Sequence, residues 1–321
     1  AGTLGTPALL LGRATGPLPV DLRLEAAGTT ATIKGAVRDA RALAGVDLVL
    51  AAQVPDLAAL APLAGTRLPA LRDLRAEARL SERTPGFRGG AHLRGLSFAS
   101  APAEGRGELT LVIGERPGLT GQLDVARLDI DAIRAAMPTA GPVPAAAPSP
   151  GPAPAPDAER RVIPDLPLPV GALRSIEADF RLAIAQMTAG GAAWRDLRAH
   201  LRLAGGQARV APFSVVTPGG PLTAELAADA TGAAPTVRLV AASPGLDLAA
   251  LQRAVGQPLM VTGTAELDAE LRGTGTGLRA VAASLGGHLG VAILESSIEP
   301  ALLRPVQAAL RARIAGDLDL G

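Results

Sequence analysis

The chain contains no cysteine and no tyrosine, and only one tryptophan, four phenylalanines and three histidines in 321 residues. Without cysteine there is no disulfide framework, no thiolate nucleophile and no thiolate ligand for a metal. The shortage of aromatics removes the residues on which cores and binding hot spots ordinarily lean, so packing falls to Leu, Val, Ile and Ala. Lysine is nearly missing too. Lys34 stands beside thirty arginines, and the formal net charge is only +1. Acids and bases are interspersed with no basic block or stripe, which argues against nucleic acid as a partner. No apolar run reaches 18 residues, and ALLLG at 8–12 is too short to cross a bilayer. There is no initiator Met and both ends fall mid-pattern, so the chain reads as a fragment of a longer protein, with any membrane anchor outside it.

What is present is repetition. LRDLRAEARL at 71–80 and WRDLRAHLRL at 194–203 agree at seven of ten positions. LDIDAI (128–133) follows the first by 57 residues, and LDLAAL (246–251) follows the second by 52, with a third version, PDLAAL, at 55–60. Landmarks recurring in one order predict two repeat units, residues 1–137 and 161–321. Between them lies a Pro/Ala-rich linker or loop insertion, 138–160, with eight prolines from 138 to 156. Such a stretch makes neither a ladder nor a helix.

Within the units, apolar and polar residues alternate with the period of a strand that is covered on one face and wet on the other. Val20, Leu22 and Leu24 alternate with Asp21 and Arg23. Phe180, Leu182 and Ile184 alternate with Asp179 and Arg181. Leu201 and Leu203 flank Arg202, and Leu267, Ala269 and Leu271 alternate with Asp268 and Glu270. Gly and Pro breakers such as Gly205-Gly206 punctuate these runs at short intervals, the layout of an antiparallel meander. The fold class is mainly β. The LDLAAL-type motifs interrupt it: Asp56, Asp129 and Asp247 each precede a short helical spacing and can cap a first turn. Residues 297–314 also read as helical.

Chemistry is hard to find. GTGTGLRA (273–280) has the wrong spacing and no parallel α/β context for a dinucleotide site and reads as a plain loop. His92, His200 and His288 lack partners at metal-ligand spacing and read as surface histidines, His200 on a solvated strand face. No nucleophile elbow, zinc motif or paired-carboxylate signature occurs. The recurring Arg-Asp-Leu triplets at 72–74 and 195–197 suggest a turn or edge requirement. No catalytic residue, metal or cofactor is expected. The notable feature is an apolar face built from small residues, which either closes as ordinary core, the plainer reading of periodicity, or stays open as a trough for a flexible acyl chain.

From residue 162 the pattern resembles a known family. IPDLPLP, then a strand, WRDLRAHLRLAGGQARVAPF, GGPLTAEL, LDLAAL and GTAELDAELRGTGTGLRAVAASLGGHLGV follow one another over 162–303, with a weaker echo in 18–137. This order is similar to that of the AsmA family of Gram-negative envelope proteins. The resemblance implies a periplasmic body anchored in the inner membrane by a segment outside this sequence. It also implies a curved antiparallel β-groove (a repeating, taco-like sheet) with short capping α-helices, and a part in phospholipid transport between the two membranes and in outer-membrane assembly. The partners expected are phospholipid acyl chains, the membrane through that anchor, and an envelope protein partner. The lipid-facing residues expected are Leu22, Leu24, Phe180, Leu182, Leu201, Leu203, Leu267 and Leu271. The alternative is a non-catalytic envelope scaffold binding a protein along a sheet edge. The proline-rich 138–160 departs from the family pattern.

Overall fold

The computed structural model describes residues 2–4, 16–61, 68–137, 167–254, 256, 259 and 261–298. These form one open, curved sheet of fifteen strands in which spatial order follows sequence order. The strands are β1 (Gly2–Leu4), β2 (Leu18–Ala26), β3 (Thr29–Asp39), β4 (Ala44–Asp56), β5 (Arg72–Glu82), β6 (Gly90–Ala99), β7 (Ala103–Val112) and β8 (Gly118–Asp129). The series continues with β9 (Glu177–Ala189), β10 (Ala192–Ala204), β11 (Gln207–Thr217), β12 (Gly220–Asp229), β13 (Thr236–Asp247), β14 (Val261–Thr274) and β15 (Gly286–Ile298). Short helices sit between them: α1 (Ile130–Ala136), α2 (Val170–Ser175), α3 (Leu248–Ala254) and α4 (Leu278–Ala283). Most of the expected C-terminal helix and the whole proline-rich stretch lie outside the described residues, while 297 and 298 belong to β15.

Every neighbouring pair of strands is antiparallel except β8 and β9, which run parallel from Gly118↔Glu177 to Asp129↔Thr188. The chain between them crosses from the end of β8 back to the start of β9. It thereby joins β1–β8 and β9–β15 into a single sheet. Asp131, in the first turn of α1, fastens this junction. Its carboxylate accepts backbone N–H groups of Gly190 and Gly191, at 2.9 and 2.7 Å, in the β9–β10 turn.

Two of these helices, and one 3-10 turn, begin where the aspartates predict, whereas α2 and α4 follow Pro169 and Gly277 without a side-chain cap. Asp56 accepts the amide of Ala58 (2.9 Å), Asp129 that of Ala132 (2.8 Å) and Asp247 that of Ala250 (2.9 Å). Each of these carboxylates satisfies an amide that a helix start leaves without an intrahelical partner. In PDLAAL the result is a single 3-10 turn, Leu57–Leu60. The Arg-Asp-Leu triplets also find a physical role. Asp73 and Asp196 take φ of +54° and +51° inside strands, and the register of β10 against β11 shifts between Arg195 and Arg198. Asp tolerates this left-handed backbone better than a β-branched residue does, so the repetition records a backbone conformation.

Candidate functional site: an apolar sheet face

Directly paired residues of neighbouring strands point to the same side of a sheet. Following the pairs therefore traces each face across the molecule. From β2 to β15 one such row reads Val20, Gly35, Leu48, Leu80, Leu93, Leu109, Gly121, Phe180, Leu201, Val210, Leu226, Leu239, Leu271, Gly287. No polar residue interrupts it. A second row runs Leu24, Ala31, Ala52, Ala76, Phe98, Gly105, Val125, Ile184, Leu197. A third runs Leu96, Gly107, Leu123, Leu182, Ala199, Phe213, Ala224, Ala241, Ala269, Leu289. At ~4.8 Å per strand the first row extends roughly 60 Å along the curve of the sheet.

All eight expected residues fall on this one face, although far apart. Phe180 pairs with Leu201, Ala178 with Leu203 and Leu182 with Ala199, so four of them share a patch on β9 and β10. Leu267 and Leu271 lie on β14, and Leu22 and Leu24 on β2. Leu24 is 55% exposed and the other seven are half-buried. Periodicity did not reveal Leu48, Leu80, Leu93, Leu109, Leu226 and Leu239, because their place on the row depends on pairing register.

This face is the sheltered one. Val125 and Ile184 are each 5% exposed, and Ala78, Ala265 and Ala269 are buried. On the opposite face Ala99, Ala185 and Ala292 are exposed. Residues of one type thus differ by side, as expected when a sheet bends toward its apolar face and crowds those side chains together. At the β2 end Phe87 folds onto Leu18, Val20, Val37 and Val46 to make a small closed core. Elsewhere among the described residues no large side chain is completely buried. Leu111, Leu119, Leu226, Leu289, Val291 and Ile293 remain exposed on the same face.

The other face is charged and self-paired. Arg209 meets Glu225 at 2.8 Å, Arg238 meets Glu270 at 3.0 Å, and Arg79 grips Asp47. These pairs hold the Glu270 and Asp47 carboxyls below the usual carboxylate range, chiefly through hydrogen bonds from Arg238 and Arg79. His200 departs from the expected solvated position. It is 9% exposed, and its Nε2 lies 2.7 Å from Asp179, whose carboxyl this hydrogen bond lowers. The neighbouring Ala211 and Pro212 belong to the irregular stretch of β11, which strand alternation does not reveal.

A depression of about 1180 Å3 also lies on the charged side: Arg202 and Ala204 line it without Leu203, and Glu270 and Arg272 without Leu271. Its arginines are committed to ion pairs, and an acyl chain there would strip water from charged groups at a cost. A second depression, of about 780 Å3, lies across β4 to β10, and its lining likewise carries charge: Arg75, Glu77, Glu104, Arg106, Asp124 and Arg198 beside Ala52, Phe98, Val125 and Ile184. Among the described residues no group of acidic, His or Cys side chains could hold a metal, and no helix is long and apolar enough to cross a membrane.

Comparison with protein-family profiles matches residues 90–297 to the AsmA family. The chain belongs to the AsmA family. The match starts at the first residue of β6, spans the β8–β9 junction and ends in β15, so it takes in parts of both repeat units. No curated protein and no solved structure gave a significant match. The AsmA family is an envelope family linked to lipid transport or assembly, and the open, groove-like sheet of this member accords with that link.

Proposed function

We propose that this AsmA-family protein carries phospholipid in the periplasm. Acyl chains would lie along the apolar sheet face, in transport between inner and outer membranes and in outer-membrane assembly. The observation that carries this reading is the uninterrupted row from Val20 to Gly287 on the sheltered side of an open sheet. The mechanism is non-enzymatic. Each methylene withdrawn from water against Leu, Val, Ile and Ala gains about 0.8 kcal/mol. No hydrogen-bonding group interrupts the row, so nothing pins the chain at one position and it can slide. The charged head group stays in water, which avoids the cost of burying an unpaired phosphate. An inner-membrane anchor outside this sequence would hold the body at that membrane.

The test is mass spectrometry of lipid extracted from gently purified protein, beside a variant carrying Leu182→Asp, Leu201→Asp and Leu267→Asp. Phospholipid in near-stoichiometric amount, lost from a variant that keeps its β-sheet circular dichroism, is the expected result. No lipid above background in the folded wild type would return the face to a scaffold that binds a protein partner.

A further inference from the structure

The sheet ends differently at its two edges. β1 spans three residues, Gly2–Leu4, whereas β15 spans thirteen and pairs only with β14 among the described residues. Its register against β14 runs without a shift from Gly286↔Arg272 to Leu294↔Thr264. Its outer backbone groups are therefore a regular template nine residues long. Proteins usually blunt such an edge with Lys, Pro, a bulge or an inward charge. Residues 286–294 hold no proline, no lysine or arginine and no acid. Their apolar side chains also lack an outer neighbour among the described residues: Leu289, Val291 and Ile293 are 61, 54 and 43% exposed, while Ala265 and Ala269, one strand inward on the same face, are buried.

We infer that β15, the last strand among the described residues, is a dimerisation strand, through which two copies of this chain pair edge to edge and antiparallel, about a two-fold axis normal to the sheet. The strand's own pattern selects a second copy as the occupant. Self-pairing about Gly290 sets Leu289 of one copy against Val291 of the other, Gly287 against Ile293 and His288 against Ala292. All nine regular residues are used and no like charges are opposed. Residues of like parity meet, so the apolar rows run on through the join instead of switching sides. A two-fold contact closes on itself, whereas pairing β15 with the opposite edge of another copy would propagate without end. The inference does not depend on what the apolar face carries.

The chain is free of cysteine, so single cysteines report the contact directly. Sedimentation equilibrium of the full chain should give twice the 32.1 kDa chain mass. Gly290→Cys should oxidise to a covalent dimer, since directly opposed residues have Cβ atoms about 5 Å apart, close to disulfide range. Asp268→Cys, at the position paired with Gly290 on β14, should not cross-link. Ala292→Lys places a charge on the exposed polar side of the edge, and should give monomers with unchanged circular dichroism. A wild type that stays monomeric to its solubility limit overturns the inference. So does a dimer that Gly290→Cys does not link and Ala292→Lys does not dissociate, or assembly beyond two copies. Lipid content is not read in any of these measurements, so a failed lipid experiment and a failed dimer remain separate results.

Discussion

At the scale of single residues, aspartate does four different jobs in this chain, and local chemistry decides which. Asp129 and Asp247 cap helices, Asp73 and Asp196 occupy left-handed backbone, Asp179 anchors His200, and Asp131 holds a turn that follows it by nearly sixty residues. Hydrogen bonds from the amides of Gly191 and Gly190 keep the Asp131 carboxyl below its ordinary value. A depressed folded-state value means that the stabilisation is fully present above the unfolded value and disappears as pH falls through the folded one. Asp131→Asn should therefore lower the urea midpoint at neutral pH, and the gap to wild type should close as pH drops below about 4. A gap that stays constant across a pH series of urea titrations would show that the carboxylate charge contributes nothing at this turn.

At the scale of elements, the sequence motifs and the structure agree most closely at the helix starts. An aspartate followed by a short helical spacing is a local signal, because capping needs only the carboxylate and amides two or three positions on. Asp247→Ala should cost about 1 kcal/mol of unfolding free energy, and Asp247→Asn much less, since an asparagine oxygen also accepts the Ala250 amide. Chemical denaturation of the two variants separates these outcomes. Strand faces were legible for the same reason. The alternation at Phe180–Leu182 and at Leu201–Leu203 is set by the two-residue period of a strand, and the register keeps all of these on one side. His200 was misread because its own alternation places it among arginines on the polar side. Its hydrogen-bond acceptor, Asp179, belongs to the neighbouring β9, and the irregularity at Ala211–Pro212 to β11 on the other side.

At the scale of the whole molecule, the parallel pairing of β8 with β9 makes one sheet out of two repeat units. Val125 and Ile184 meet across that junction and are among the most sheltered apolar side chains on the face. Ile184→Ala should destabilise the protein by roughly 3 kcal/mol, the range for deleting a buried aliphatic side chain. The transition should remain single in calorimetry if the junction couples the halves. Two separated transitions in the variant would instead mean that each half unfolds on its own.

Composition and periodicity by themselves determined that this chain is mainly β, that its strands carry one apolar and one charged face, and that Asp56, Asp129 and Asp247 start helical turns. All of these are local properties, set by backbone geometry within a few residues. The order of its motifs indicated the family. Only the tertiary structure decided that the separate apolar stripes join into one row, because that depends on register across thirteen strand pairs, including a parallel one. It alone showed that β15 is the last strand of the sheet among the described residues. Edges and registers arise between segments distant in sequence, where pairing partners are chosen by the whole sheet.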